Sequence, residues 1–344
     1  MSASGATHAH VEARPGNGER ASQERPFDES LLVSLLIASG MAAGLLVPGL
    51  ARALAPALLP SLFVIVLASL TPFRSVLARA LFALDRRAVV VVAWLQIALP
   101  LLVLASEAVL GVPRSLMPYV LISACSGAVF ATPTLAGLFD LDRERAARIM
   151  ILSTLLMPVS LCVFVGPLVG LDNVEAFSTF GQRVLVFLVL PALLVWTFRG
   201  VERATKASRK TALTIDRHAS RLGMVGLAVF AVSIMDGVAE GAASDPGMMF
   251  ALFMGALAVN LSMMMLTRFA LLPIGYDIAQ TASIVAMTRN VGLAYAMTSA
   301  FFGPELAKYV ALCQVPLLVG PLFVRLRAKR SKAASIREPE RQPA

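Results

Sequence analysis

From residue 31 onward the chain alternates long apolar stretches with short polar breaks. Ten apolar segments stand out, at about 31–49, 53–71, 88–110, 115–139, 148–170, 183–198, 221–240, 247–267, 279–302 and 305–325. Each approaches or exceeds the roughly 17–25 residues that carry a helix across about 30 Å of hydrocarbon. The sixth is short, and the stretch Phe177 to Phe180 can extend it backwards. The pattern predicts an all-α polytopic membrane protein of ten transmembrane helices. Residues 1–30 and 326–344 are polar, mix both charge signs and have few large apolar groups, so they read as disordered tails. The acidic, Pro-containing stretch ahead of the first apolar run is unlike a secretory leader.

Ten spans divide at the outer connection near 171–182 into two sets of five, 31–170 and 171–325. An odd number of spans per half turns the second half upside down, which is the arithmetic of an inverted repeat. Two segments at corresponding places in the halves are interrupted by polar or helix-breaking residues. The fourth reads ISACSGAVFATPTLAG, with Ser126 and Gly127 and then Thr132 and Pro133 at its centre. The ninth reads TASIVAMTRNVGLAYAMTS, with Thr288, Arg289, Asn290 and Gly292 at its centre. Proline cannot donate a helical hydrogen bond. Broken backbone at this depth is tolerated only inside protein or beside a watery cavity. Gly, Ser and Thr also serve close helix packing, which explains the fourth segment equally well. Arg289 shifts that balance, because a charge at membrane depth costs at least about 2.5 kcal/mol and marks function. No acidic residue sits mid-span to pair with it; Glu107 and Asp236 lie toward the outer ends of their segments.

Other polar residues fall at compatible depth: Gln96, Ser153, Thr154, Asn260 and Gln314. Each alone is more often a helix-to-helix hydrogen bond than a ligand contact, and together they could line one cavity with the two broken segments. The methionines, Met263 to Met265 among them, read as apolar filling.

Charge sets the orientation. With the amino terminus in the cytoplasm, 25 of the 30 Lys and Arg residues fall in inner connections and tails. Only Arg52, Arg114, Arg183 and Lys308 fall outside, and Arg289 lies within the membrane. Such an asymmetry supports both termini inside, and the compact span layout without a leader suits a bacterial inner membrane. The basic stretch 199–221 then reads as a solvated inner loop rather than a nucleic-acid site, despite the net charge of +9. Composition agrees with the pattern: 58% hydrophobic, 15% charged and a mean hydropathy of +0.77. Cys125, Cys162 and Cys313 lie in apolar stretches without metal spacing and read as unpaired filling. His8, His10 and His218 fall in a tail and a loop. No phosphate loop, Ser/His/Asp set or metal-ligand cluster is present, which argues against an enzyme, an ATP-driven pump or a resident cofactor.

At the interrupted segments the chain resembles the bile acid:sodium symporter family over residues 31–325. ASIVAMTRNVGLA matches the family's ninth-helix pattern at Asn290, Gly292, Leu293 and Ala294, and SACSGAVFATP its fourth-helix segment at Cys125 and Gly127. STLLMP at 153–158 is similar to its fifth-helix Ser-Thr…Pro run, and Gln96, four residues before Pro100, to its third-helix Gln. The resemblance implies two inverted five-helix repeats with helices 4 and 9 broken and crossing beside the substrate. The residues at membrane depth that would contact substrate or ion are Arg289, Asn290, Thr288, Thr132, Ser126, Ser153, Thr154, Gln96, Asn260 and Gln314, with Gly127, Pro133 and Gly292 shaping the broken backbone. The departures are specific. The family's sodium-site Glu and the Gln before its Asn are Val285 and Arg289 here, and its fourth-helix Ser-Asn pair is Ala131-Thr132. The expected function is therefore alternating-access transport of a small organic anion, with sodium coupling weakened or replaced by the Arg289 cation. Either Na+ or H+ remains open as coupling ion, and monomer or homodimer as assembly. The rival readings are an auxin-efflux-type carrier, a channel, and a non-transporting membrane receptor or scaffold.

Overall fold

The structure, a computed structural model, describes residues 25–71, 85–111, 113–139, 141–171, 173–205 and 209–316. Among these every regular element is a helix. In chain order they are α1 Arg25–Leu46, α2 Pro48–Leu70, α3 Arg86–Glu107, α4 Met117–Cys125, α5 Thr132–Leu138, α6 Arg143–Val169, α7 Val174–Glu202, α8 Thr214–Ser244, α9 Pro246–Ile274, α10 Tyr276–Met287, α11 Val291–Thr298 and α12 at 304–316. Six of them (α2, α3, α6, α7, α8 and α9) are long and apolar enough to cross a membrane. The fourth and ninth apolar segments give no helix of that length because each is cut in two.

Helix starts follow local chemistry. Asp85, Asp142, Asn173 and Asp245 each accept a backbone N–H of the first turn, at 2.7–3.2 Å. Gly111 and Gly170 end helices in the left-handed conformation that favours glycine (φ +64° and +69°). Several boundaries differ from the apolar pattern. α1 begins at Arg25, inside the stretch read as a tail, and α7 begins at Val174, nine residues before the sixth apolar segment. The basic stretch 199–221 is not a loop over its described part. Helix continues past the apolar part of α7 to Ala204 and resumes at Arg209, ahead of the apolar part of α8, since Lys, Arg and Ala are strong helix formers whatever their polarity. The remainder of the two tails and the end of the tenth apolar segment lie outside the described residues.

The helices pack in two groups. α8 lies against α1 and α2, and α7 against α2. In the second group α9 packs on α10, α6 on α3, α5 and α10, and α4 on α3 and α11. Large apolar side chains still face outward, among them Leu156, Val159, Leu193, Phe250, Leu261 and Phe269, as they do in an integral membrane protein. The α1–α8 contact depends on the spacing Gly40-Met-Ala-Ala-Gly44. A Cβ on Gly40 would stand 2.8 Å from Ala231 Cβ, and one on Gly44 2.6 Å from the Val232 carbonyl oxygen. Small residues four apart allow backbones to approach this closely.

Gly44→Ala is expected to push α1 off α8 and lower stability by about 1–3 kcal/mol, the usual cost of overpacking. Gly255→Ala on α9, where a Cβ meets nothing within 4 Å, should leave stability unchanged or raise it. Unfolding of the two variants in the same detergent checks both signs.

Candidate functional site

Proline and glycine open three gaps in the helical hydrogen-bond ladder, and the gaps meet. In α3, Pro100 has no N–H to give the carbonyl of Gln96. The helix widens there into a π turn over Trp94–Ala98, and Leu99 N–H bonds back to Trp94 instead of Leu95. The carbonyls of Leu95 and Gln96 are thereby left without their usual helical donors. In the fourth apolar segment, α4 stops at Cys125, Ser126 turns extended (ψ 151°), and α5 resumes at Thr132. Pro133 sits at the start of α5, where its missing N–H costs nothing. In the ninth segment α10 stops at Met287, and α11 starts at Val291 with Asn290 as its cap, Leu293 N–H donating to Asn290 Oδ1 at 3.1 Å.

The two breaks pair with each other. Ala128 and Arg289 form an isolated antiparallel bridge. Val129 N–H donates to the Thr288 carbonyl at 2.8 Å, and Asn290 N–H to the Gly127 carbonyl at 2.7 Å. Thr132 Oγ1 and Thr288 Oγ1 stand 2.9 Å apart, adding a side-chain link. Broken backbone groups that hydrocarbon could not satisfy therefore satisfy one another.

Arg289 lies at this junction and is only 2% exposed. Its Nη1 donates to the Ser126 carbonyl at 2.6 Å and its Nη2 to the Leu95 carbonyl at 3.0 Å. Both acceptors are carbonyls released by the gaps. Gln96 Nε2 reaches the same Ser126 carbonyl at 3.3 Å, and Ser160 Oγ donates to the Gln96 carbonyl at 2.9 Å. Arg289 Nε and Gln96 Oε1 are buried with no partner in the protein. Among the described residues no carboxylate lies within 4.0 Å of the guanidinium, so carbonyl dipoles alone hold it.

The structure thus brings Gln96, Ser126, Gly127, Thr132, Thr288, Arg289 and Asn290 into one cluster. Gly127 permits it: a Cβ there would lie 2.7 Å from Thr154 Oγ1 and 2.8 Å from Thr154 Cα, so α6 passes directly against the break. Thr154 and Ser153 are buried and donate to the Met150 carbonyl of their own helix. Asn260 and Gln314 likewise donate to carbonyls one turn back, Ala256 and Val310, on their own helices rather than to the junction. Gly292 is already helical, one residue past the break, and a Cβ there would make ordinary contact with Leu62 and Phe230 at 3.4 Å.

Sequence reading missed three contributors. The Leu95 carbonyl belongs to the π turn of α3, and Ser160 of α6 donates to that turn's Gln96 carbonyl; Pro100, four residues after Gln96, was the signal for the turn. The third is Arg183 of α7. Its Nη1 reaches across to α11, donating to the Ala296 carbonyl at 2.9 Å and to Ser299 Oγ at 2.8 Å. A cation at the last turn of a helix also suits the negative end of its dipole. α11 is thus held at its start by the bridge to α4 and at its end by a helix of the other group.

Among the described residues no group of three or more His, Cys, Asp or Glu side chains is placed to hold a metal ion. Compared with protein-family models and with curated proteins, the chain has no match in either.

Gly127→Ala is expected to destabilise the protein by about 1–3 kcal/mol through its clash with the α6 backbone, whereas Gly292→Ala should shift the melting temperature little. Arg183→Ala removes a charged donor from a part-buried carbonyl, so a loss of about 1.5–3 kcal/mol is expected, while Arg114→Ala at the exposed surface changes nothing measurable. Thermal unfolding of the four variants side by side tests these expectations.

Proposed function

We propose that the chain is a secondary transporter of a small organic anion, related in architecture to the bile acid:sodium symporters, with ten spans in two inverted repeats. In this reading Arg289 stands where such a carrier holds its coupling cation. One observation carries the proposal: a buried guanidinium, unpaired with any carboxylate among the described residues, is held by carbonyls freed where two broken helices meet. Backbone carbonyls at a helix break are the groups that coordinate Na+ in carriers of this build. A second monovalent cation a few Å from the guanidinium would be strongly repelled at low dielectric. The fixed charge leaves the junction net positive, which favours an anionic solute over a cationic one.

The mechanism that fits is rocking of the α1, α2, α7 and α8 group against the group built on the junction. The substrate would bind beside the broken helices, where the half-buried Asn290 offers its amide. The Arg183 tie between α7 and α11 would break in each cycle. Arg289 supplies positive potential through its dipolar cage rather than by touching solute, being almost fully enclosed. In this reading the membrane is a bacterial inner membrane with both termini cytoplasmic. Transport then runs without sodium, by proton coupling or by exchange.

The test is the melting temperature of the purified protein with and without sodium across a panel of organic anions, since a ligand bound to the folded state alone raises it. An anion at about 100 times its Kd is expected to add roughly 2.7 kcal/mol, with no response to sodium. In Arg289→Gln the anion effect should disappear. A clear sodium-dependent rise in the unmodified protein would overturn the assignment of Arg289 as a built-in cation.

A further inference from the structure

Away from the junction, a cleft of about 280 Å³ opens between the end of α2, the end of α7 and the start of α8. Its walls are apolar, formed chiefly by Leu67, Val195, Phe198 and Leu222. Its polar liners lie toward one end: Thr71 follows the last residue of α2, Glu202 ends α7, and His218 is one turn before Leu222 on α8. A greasy slot with a polar mouth matches the two-part chemistry of an amphiphile.

Charge around the mouth decides which amphiphile. Residues 199–221 carry seven Lys and Arg against Glu202 and Asp216. Of these, Arg217 and Arg221 are exposed on α8, and Arg221 follows His218 at the spacing that places side chains on one helix surface. Seven basic against two acidic residues leave this stretch with a positive surplus. Trp196 is 72% exposed on α7, between the cleft-lining Val195 and Phe198, and tryptophan is enriched at membrane interfaces. Basic clusters beside membrane helices attract anionic lipid.

We propose that this cleft is a binding site for an anionic phospholipid. An acyl chain lies among Leu67, Val195, Phe198 and Leu222, and the phosphate meets Arg217, Arg221 and His218. Because α2, α7 and α8 belong to one packing group, the lipid wedges that group alone and leaves the junction untouched. The site is independent of which solute the protein carries.

The experiment titrates the full chain in detergent with dioleoylphosphatidylglycerol or dioleoylphosphatidylcholine and counts bound lipid by native mass spectrometry. Phosphatidylglycerol is expected to bind more tightly, and less so at high salt. Arg217→Gln and Arg221→Gln should each weaken it about fivefold, the effect of one basic residue at a membrane surface. Ala219→Phe, which fills the cleft, should abolish the preference; Ala219→Leu serves if the larger side chain prevents folding. Equal binding of the two lipids overturns the proposal. So does preferential binding that survives both Ala219 variants, which would place the lipid on the charged surface only. Competition by glycerol phosphate as effective as by the lipid would also overturn it, since the chain would then contribute nothing.

Discussion

Burying one unpaired positive charge is the constraint on which the centre of this protein depends. A guanidinium taken out of water without a carboxylate costs several kcal/mol unless dipoles replace its hydration. A regular α-helix cannot provide those dipoles, because its carbonyls are spent on its own ladder. The chain supplies them by spoiling two ladders. Pro100 shifts the register of α3 and frees the Leu95 carbonyl. The stop after Cys125 frees the Ser126 carbonyl. Arg289 holds the two together, so the defects and the charge compensate each other.

Packing enforces that compensation. The backbones of the two breaks bond directly across the Ala128–Arg289 bridge, and α6 approaches so closely that only glycine fits at 127. Leu62, Leu121, Met157, Phe230, Leu293 and Met297 form a continuous apolar cluster on one side, and Val91, Leu95, Ile149, Met263 and Val285 form another. Residues from α4 and α6 contribute to both. The polar junction is therefore sealed between two dry regions, where carbonyl dipoles act at low dielectric and hold a charge best.

The two packing groups differ in how they are joined. Inside each, long helices bury apolar surface along their lengths. Between them, α11 is one of the few bridges, touching α2 and α7 while its N-terminus is built into the junction. Arg183 concentrates part of that link in one charged side chain on one helix end. A polar tie at a part-buried site can exchange with water at modest cost, whereas parting a broad apolar interface cannot. Relative movement of the groups is thus compatible with an intact junction.

How much of this was readable in the chain depends on range. Local chemistry shows directly in the letters: the long apolar stretches and the interruptions at Ser126–Pro133 and Thr288–Gly292. Arg289 also declares itself, because a charge inside an apolar run needs a reason. What the letters cannot show is partnership. The Arg289 acceptors are carbonyls, which every residue has, so no side chain in the sequence points to Leu95 or Ser126. Asn260 and Gln314 look equivalent to Gln96 in one dimension; in space they turn back onto their own helices, while Gln96 meets the break. Arg183 reads as one more outer charge until α7 is seen beside α11. By itself the sequence determined the helical class, six of the ten membrane-length helices it suggested, the two interruptions and the need to satisfy one buried cation. Only the tertiary structure decided which released carbonyls meet it, because those contacts join residues 163 and 194 positions apart that share no local periodicity.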